Sequence, residues 1–162
     1  MIMEEQHNIF ISHYGKDDEH VQSLKDRLKD QGYNIRNFSV DSTNHKDGRK
    51  PSDEVVERLL KMRIKWSKTF ICLIGPKTHT RDWVDFEIEE AQKQGKRIVG
   101  VYTHGNMDSA ELPENLKKYA SNIIGWNSIE KLGAIIAGEN FPVENPDGST
   151  ANPLHPRTPV KC

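Results

Sequence analysis

The sequence predicts an α/β domain with a mostly parallel five-stranded sheet and helices on both faces. Three observations predict it. Short apolar runs alternate with amphipathic stretches along most of the chain. Each pair of runs is separated by a helix-length segment rather than a hairpin turn, as parallel strands require. Helix starts and stops also fall where those segments begin and end, for example Pro51 and Ser52 at a start and Gly32 and Gly95 at stops.

The elements follow in order. Asn8 to His13 reads as a short strand. Asp17 or Asp18 then caps a helix through Gln31, with Val21, Leu24 and Leu28 on its apolar face and Gly32 placed to end it. Asn34 to Val40 is a second strand, and Asp41 to Lys50 is a polar loop. Pro51 and Ser52 open a helix with Val55, Val56, Leu59 and Leu60 as its apolar face. Thr69 to Ile74 is a buried strand, followed by a loop over Pro76 to Arg81. A helix from Trp83 to about Gln94 comes next, stopped by Gly95, with Val84, Ile88 and Ala91 as its sheet-facing stripe. Arg97 to Tyr102 is a fourth strand; a long loop, Thr103 to Glu114, leads to Leu116–Ala120. Asn122 to Trp126 is the fifth strand, and Ser128 to Ala137 the last helix. No internal repeat is present.

The chain divides into a domain over residues 1–138 and a Pro-rich tail over 139–162, which holds five of the eight prolines. Such a tail forms neither helix nor central strand. It is read either as a disordered terminus or as a segment ordered by the body or by a neighbouring chain.

Composition bounds the function. A chain of 162 residues fits one domain with an ordinary core. A formal net charge of -1 lacks the basic excess of a nucleic-acid protein. Apolar runs fall far short of the roughly 20 residues that span a bilayer. Met1 to His7 has neither the basic start nor the apolar stretch of a signal peptide. Cys72 lies inside an apolar strand as a small core residue, and Cys162 ends the chain. A reduced, cytoplasmic protein is therefore expected.

Several chemistries are set aside. The chain has no phosphate-cradling Gly-x-x-x-x-Gly-Lys-Ser/Thr, no Gly-x-Gly-x-x-Gly and no Gly-x-Ser-x-Gly. The histidines lack paired ligand spacing and no Cys-x-x-Cys occurs, so no metal site is expected. His7, His20, His45, His79 and His155 are read as solvated polar residues.

The chemistry points to Trp83-Val-Asp-Phe-Glu87-Ile88, which opens the helix after the buried strand. Trp83 and Glu87 stand four residues apart, on one helix face, with Trp83 read either as a stacking surface or as a core residue. An aromatic wall beside a carboxylate, at the carboxyl end of a strand, suits a nucleotide and a positively charged reacting sugar. Glu87 is otherwise one of 24 acidic residues on a solvated face. Its place near the helix start favours the ionised form. Ser12, His13 and Tyr14 follow the first strand and are read either as the rim of the same crevice or as loop packing. Asp41 and Ser42 leave the second strand on that side and suit ribose or phosphate hydroxyls, or else a turn. His104 follows the fourth strand and is either a substrate neighbour or a surface histidine.

Phe10-Ile-Ser-His-Tyr-Gly-Lys-Asp17 resembles the first signature of Toll/interleukin-1 receptor (TIR) domains. Lys68 to Gly75, followed by Trp83 to Ile88, resembles their third strand and catalytic helix. More narrowly, Phe38-Ser-Val-Asp-Ser42, Arg81-Asp-Trp-Val-x-x-Glu-Ile88 and Gly95-Lys-Arg-Ile-Val-Gly-Val101 resemble the TIR-like signal-producing subunit of bacterial Thoeris anti-phage defence. The resemblance covers about residues 8 to 137 and leaves out the tail. The chain lacks the Arg-Asp-x-x-Pro-Gly loop of animal receptor TIR domains, which counts against a pure adaptor.

The resemblance implies a single flavodoxin-like TIR domain that cleaves NAD at the nicotinamide–ribose bond. NAD would be substrate, with no cofactor. Glu87 would be catalytic, with Trp83, Ser12, His13, Tyr14, Asp41, Ser42 and His104 lining the substrate site. Water, an atom of the same molecule or an added nucleophile would take the ribosyl cation. The products would be ADP-ribose, a cyclic isomer or a conjugate. Implied partners are a phage-derived activator, an effector reached through a diffusible nucleotide, and further copies of the chain. Two other readings stay open: a non-catalytic TIR module acting by self-association, and a related nucleoside or nucleotide N-glycosidase or ribosyltransferase.

Overall fold

The computed structural model describes residues 6–13, 18–32, 34–37, 54–75, 78, 82–103, 111–146 and 149–151. Five strands form one parallel sheet: β1 (Gln6–Ser12), β2 (Asn34–Asn37), β3 (Thr69–Ile74), β4 (Arg97–Tyr102) and β5 (Asn122–Ile124). Their spatial order is β2-β1-β3-β4-β5. This is the flavodoxin-like order, and its direction of winding reverses between β1 and β3.

Alternation along the strands builds two cores. Ile9, Ile11, Ile71, Leu73, Val99 and Val101 point to one face. There they meet Leu24 and Leu28 of helix α1 (Asp18–Asp30) and Leu132 and Ile135 of α5 (Leu132–Ile136). Phe10, Phe70, Cys72, Ile74 and Ile98 point to the other. They meet α2 (Glu54–Trp66), α3 (Asp82–Lys93) and α4 (Glu114–Tyr119) through Leu60, Ile64, Val84, Ile88, Ala91 and Leu116. All six residues of β3 are buried, as expected of a central parallel strand covered on both sides. Gly32 (φ +89°) and Gly95 (φ +70°) end α1 and α3 in the left-handed region that favours glycine.

Three expectations change, and one alternative is decided. The fifth strand stops at Ile124, and Trp126–Lys131 turns as a 3-10 helix before α5 begins. The kink sits at Ser128 (φ −105°, ψ 20°). Leu59, read as core, is exposed, because one residue's rotation from Leu60 carries it about 100° away from the sheet. His20 is half-buried rather than solvated, edge-on to Trp126 with ring centroids 5.8 Å apart. Beyond Gly138, the described residues 139–146 and 149–151 fold back on the body, one of the alternatives the sequence left open. Phe141 N–H donates to Asn122 Oδ1 (2.9 Å) and Glu144 N–H to the Ile123 carbonyl (2.9 Å), so the outer edge of β5 is covered. An antiparallel bridge joins Glu144 to Thr150.

Candidate functional site

In this strand order the crevice lies beyond the carboxyl ends of β1 and β3. Ser12 ends β1 and pairs in register with Cys72 of β3. Both are on the face covered by α3, because Phe10 and Cys72 belong to that core. Glu87 lies one turn into α3, three residues after Val84 and four before Ala91. It therefore shares their sheet-facing stripe.

Glu87 is 4% exposed and Ser12 1%. The Ser12 hydroxyl donates to Glu87 Oε1 at 3.1 Å, across 75 residues of sequence. Burial pushes the Glu87 carboxyl up to about 8, and the Ser12 hydrogen bond pulls the other way without offsetting it. Burial thus works against the expectation that the helix start keeps Glu87 ionised. A carboxylate loses more hydration under the sheet-facing stripe than the helix dipole returns. Burial also pushes the Cys72 thiol up, with the charges of Glu87 and Asp85 adding to it, so Cys72 is a neutral core residue and not a nucleophile.

The frame around this pair is held by backbone-directed hydroxyls. Gly75 N–H donates to Thr78 Oγ1 at 2.8 Å, just past β3. Thr103, just past β4, donates its hydroxyl to the Ile74 carbonyl at 3.2 Å and its N–H at 3.0 Å. Asp85 ties α3 to α4 by accepting from Asn115 N–H at 3.2 Å. Thr78 and Thr103 were not singled out from the sequence. Their signal was their position, four residues and one residue beyond a strand, where a hydroxyl ties down a loop.

The structure thus brings together Ser12 and Glu87. His13 follows them at the rim, half-buried. Trp83 lies on α3 one turn before Glu87, but its side chain is outside the described residues, as are Tyr14, Asp41, Ser42 and His104. Among the described residues, no group of three or more His, Cys, Asp or Glu is placed to hold a metal ion. No helix of the described residues is long and apolar enough to cross a membrane.

Comparison with known proteins bears on the fold and the family. A solved 2-deoxyribosyltransferase from Bacillus psychrosaccharolyticus aligns with 83% of this chain and 98% of its own, at TM-score 0.57 and 15% identity, a likeness of fold. The TIR domains of the activated Roq1 resistosome align with 82% of this chain and 74% of theirs, at TM-score 0.43 and 16% identity. A Bacillus cereus (strain MSX-D12) protein, ThsB1, described provisionally as a cyclic ADP-D-ribose synthase, is 29% identical over 68 residues. That stretch is 42% of this chain and 35% of the relative, so the match spans about a third of ThsB1. The sequence profile of the family described as Thoeris protein ThsB, TIR-like domain, matches residues 10–108. That span is more than half of the chain and contains both Ser12 and Glu87, and the protein belongs to the TIR-like domain family of Thoeris ThsB proteins.

Proposed function

We propose that this protein cleaves NAD at the nicotinamide–ribose bond and makes an ADP-ribose-derived signal, a cyclic isomer or a conjugate, in anti-phage defence. The observation that carries the reading is Glu87, a buried carboxyl held by Ser12 at the β1/β3 crevice. Family membership and the description of ThsB1 support it.

The chemistry assigns the roles. Departure of neutral nicotinamide leaves a ribosyl cation, so the transition state is oxocarbenium-like. An ionised Glu87 stabilises that cation, or grips ribose hydroxyls as the bond breaks. The free protein holds Glu87 largely protonated near neutrality. The positive nicotinamide ring of bound NAD favours the ionised form, so substrate binding releases the proton. Trp83 offers a stacking surface for a base or nicotinamide ring, and His13, Tyr14, Asp41, Ser42 and His104 complete the substrate contacts. NAD is substrate and no cofactor is needed. The reaction belongs in the cytoplasm, where NAD is held. Its partners are further copies of the chain, a phage-derived activator, and an effector reached through the diffusible nucleotide.

Mass spectrometry of the small molecules formed from NAD, with wild type and Glu87→Gln, tests the reading. We expect nicotinamide and an ADP-ribose derivative from wild type, and at least about 100-fold less from the variant. No nicotinamide release by wild type at any protein concentration, or with infected-cell extract added, would favour the non-catalytic TIR module.

A further inference from the structure

Among the described residues, the outer face of α2 is unlike the rest of the surface. Large apolar side chains exposed among the described residues are Leu59 (37%), Met62 (43%), Trp66 (52%) and Tyr119 (38%). Three of the four stand on α2 at i, i+3 and i+7, which makes one stripe. At roughly 100° per residue, this stripe lies opposite Leu60 and Ile64, the residues that pack α2 on the sheet. It is therefore no overspill of the core face.

A second stripe runs beside it. Arg58, Lys61 and Lys65 are exposed and repeat the same spacing one residue earlier. None of the three forms an ion pair with another described residue, whereas Lys93, Lys117 and Lys131 do. The Trp66 end of these rows lies at the amino ends of the strands, since Lys68 N–H donates to the Asn8 carbonyl at 2.9 Å. Ser12 and Glu87 lie at the opposite ends, so an occupant at Trp66 leaves the crevice open.

We propose that this face docks an acidic amphipathic helix of a partner protein. Its apolar row covers Leu59, Met62 and Trp66, and a neighbouring row of carboxylates meets Arg58, Lys61 and Lys65. Two rows at one helical pitch match a second helix in both shape and charge. A second copy of this chain presents the same cationic row and is repelled. A helix lying on an anionic bilayer sets exposed cations on both flanks of its apolar row, whereas here the exposed Arg58, Lys61 and Lys65 share one flank and the cation on the other, Arg63, is half-buried.

The test uses the full chain and a synthetic 18-residue helical peptide with a Leu row at i, i+3 and i+7 and a Glu row one position over. Two-dimensional amide NMR reads the binding site and titration reads the affinity. Peptide-induced shifts should be confined to α2 and the Trp66 indole. The charge-reversed peptide (Lys for Glu), the Arg58→Glu/Lys61→Glu/Lys65→Glu protein and the Met62→Ser/Trp66→Ser protein should each bind at least about tenfold more weakly. Both variants alter exposed positions, and unchanged amide shifts outside α2 verify their fold. Equal affinity for the charge-reversed peptide, or no loss in either variant, would overturn the proposal. So would α2 shifts produced by phosphatidylglycerol vesicles in place of the peptide, or self-association abolished by Met62→Ser/Trp66→Ser. The outcome is independent of NAD cleavage.

Discussion

Glu87 sets two pH dependences of opposite use. Its folded carboxyl is raised from an ordinary 4.5 to about 8, chiefly by burial. Between those values the unfolded chain is ionised at Glu87 while the folded chain keeps the proton. Stability contributed by this site is therefore full below about pH 4.5 and is lost as pH rises towards 8. Glu87→Gln removes that slope, and its melting temperature should exceed wild type most at pH 8 and least at pH 5. Equal melting temperatures at both would show that Glu87 does not titrate as a buried group. On the proposed reading, NAD cleavage has the opposite pH dependence, because it needs the carboxylate. For wild type, kcat/KM should climb about tenfold per pH unit below 8 and level off above, while kcat, reporting the NAD complex, levels off at lower pH. Ser12→Ala removes the hydrogen bond that favours the ionised form. Its kcat/KM profile should move to still higher pH, with Ser12→Thr restoring the wild-type curve. An unshifted Ser12→Ala profile with a uniform loss of rate would reduce Ser12 to a packing residue. The sequence made Glu87 legible through Trp-x-x-x-Glu, and Ser12 through its place after a strand. The bond between them was not legible, because it depends on β1 and β3 being neighbours and on which face each residue takes.

At the scale of elements, α3 illustrates what periodicity discloses and what it hides. Val84, Ile88 and Ala91 were readable as a buried stripe, and they are buried. Glu87 falls between them on the same arc, but a charged residue type argues for solvent, so its burial was hidden by composition. The reverse holds on α2, where Leu59 and Met62 are apolar and exposed. The segment after β5 hides a second buried carboxylate. Glu144 is 3% exposed; its carboxylate accepts Gly125 N–H at 3.1 Å and pairs with Lys131 Nζ at 2.8 Å. Burial pushes this carboxyl up, but hydrogen bonds from Lys131, Ser128 and Gly125 and the Lys131 charge outweigh it and hold the group below its ordinary range. Glu144 thus contributes stability above about pH 4.5, and the contribution is lost as pH falls through its lowered native value. Glu144→Ala strands a backbone N–H and a half-buried ammonium, and should cost about 1–3 kcal/mol at pH 7. The measurable signs are a lower urea midpoint and faster exchange of the Gly125 amide. A midpoint within error of wild type would mean that the segment is held by its apolar contacts alone.

For the whole molecule, the five parallel strands and their two covering layers follow from alternation, since each strand must bury both faces. Where the fold ends does not follow from it. Prolines after Gly138 argue against regular structure, yet an edge strand such as β5 accepts a partner that makes only scattered hydrogen bonds. Glu144 N–H reaches the Ile123 carbonyl, and Ala151 N–H reaches the Val143 carbonyl at 2.7 Å. Arg97 binds the Glu139 carbonyl and Asn140 Oδ1, while Phe141 and Val143 pack against the two cores. Truncation after Gly138 removes all of these at once and bares the β5 edge. We expect it to lower the melting temperature by more than Glu144→Ala does and to produce aggregates visible by size-exclusion chromatography. Truncation after Ala151 keeps every contact named above and should melt with the full chain. The pair of truncations also tests whether the Pro-rich end excludes water from the ribosyl cation, a role that would favour cyclised or conjugated product over ADP-ribose. The shift towards ADP-ribose should appear already in the protein ending at Ala151, measured at matched NAD conversion. An unchanged product ratio there, with folding intact, would assign the end of the chain no part in guarding the site.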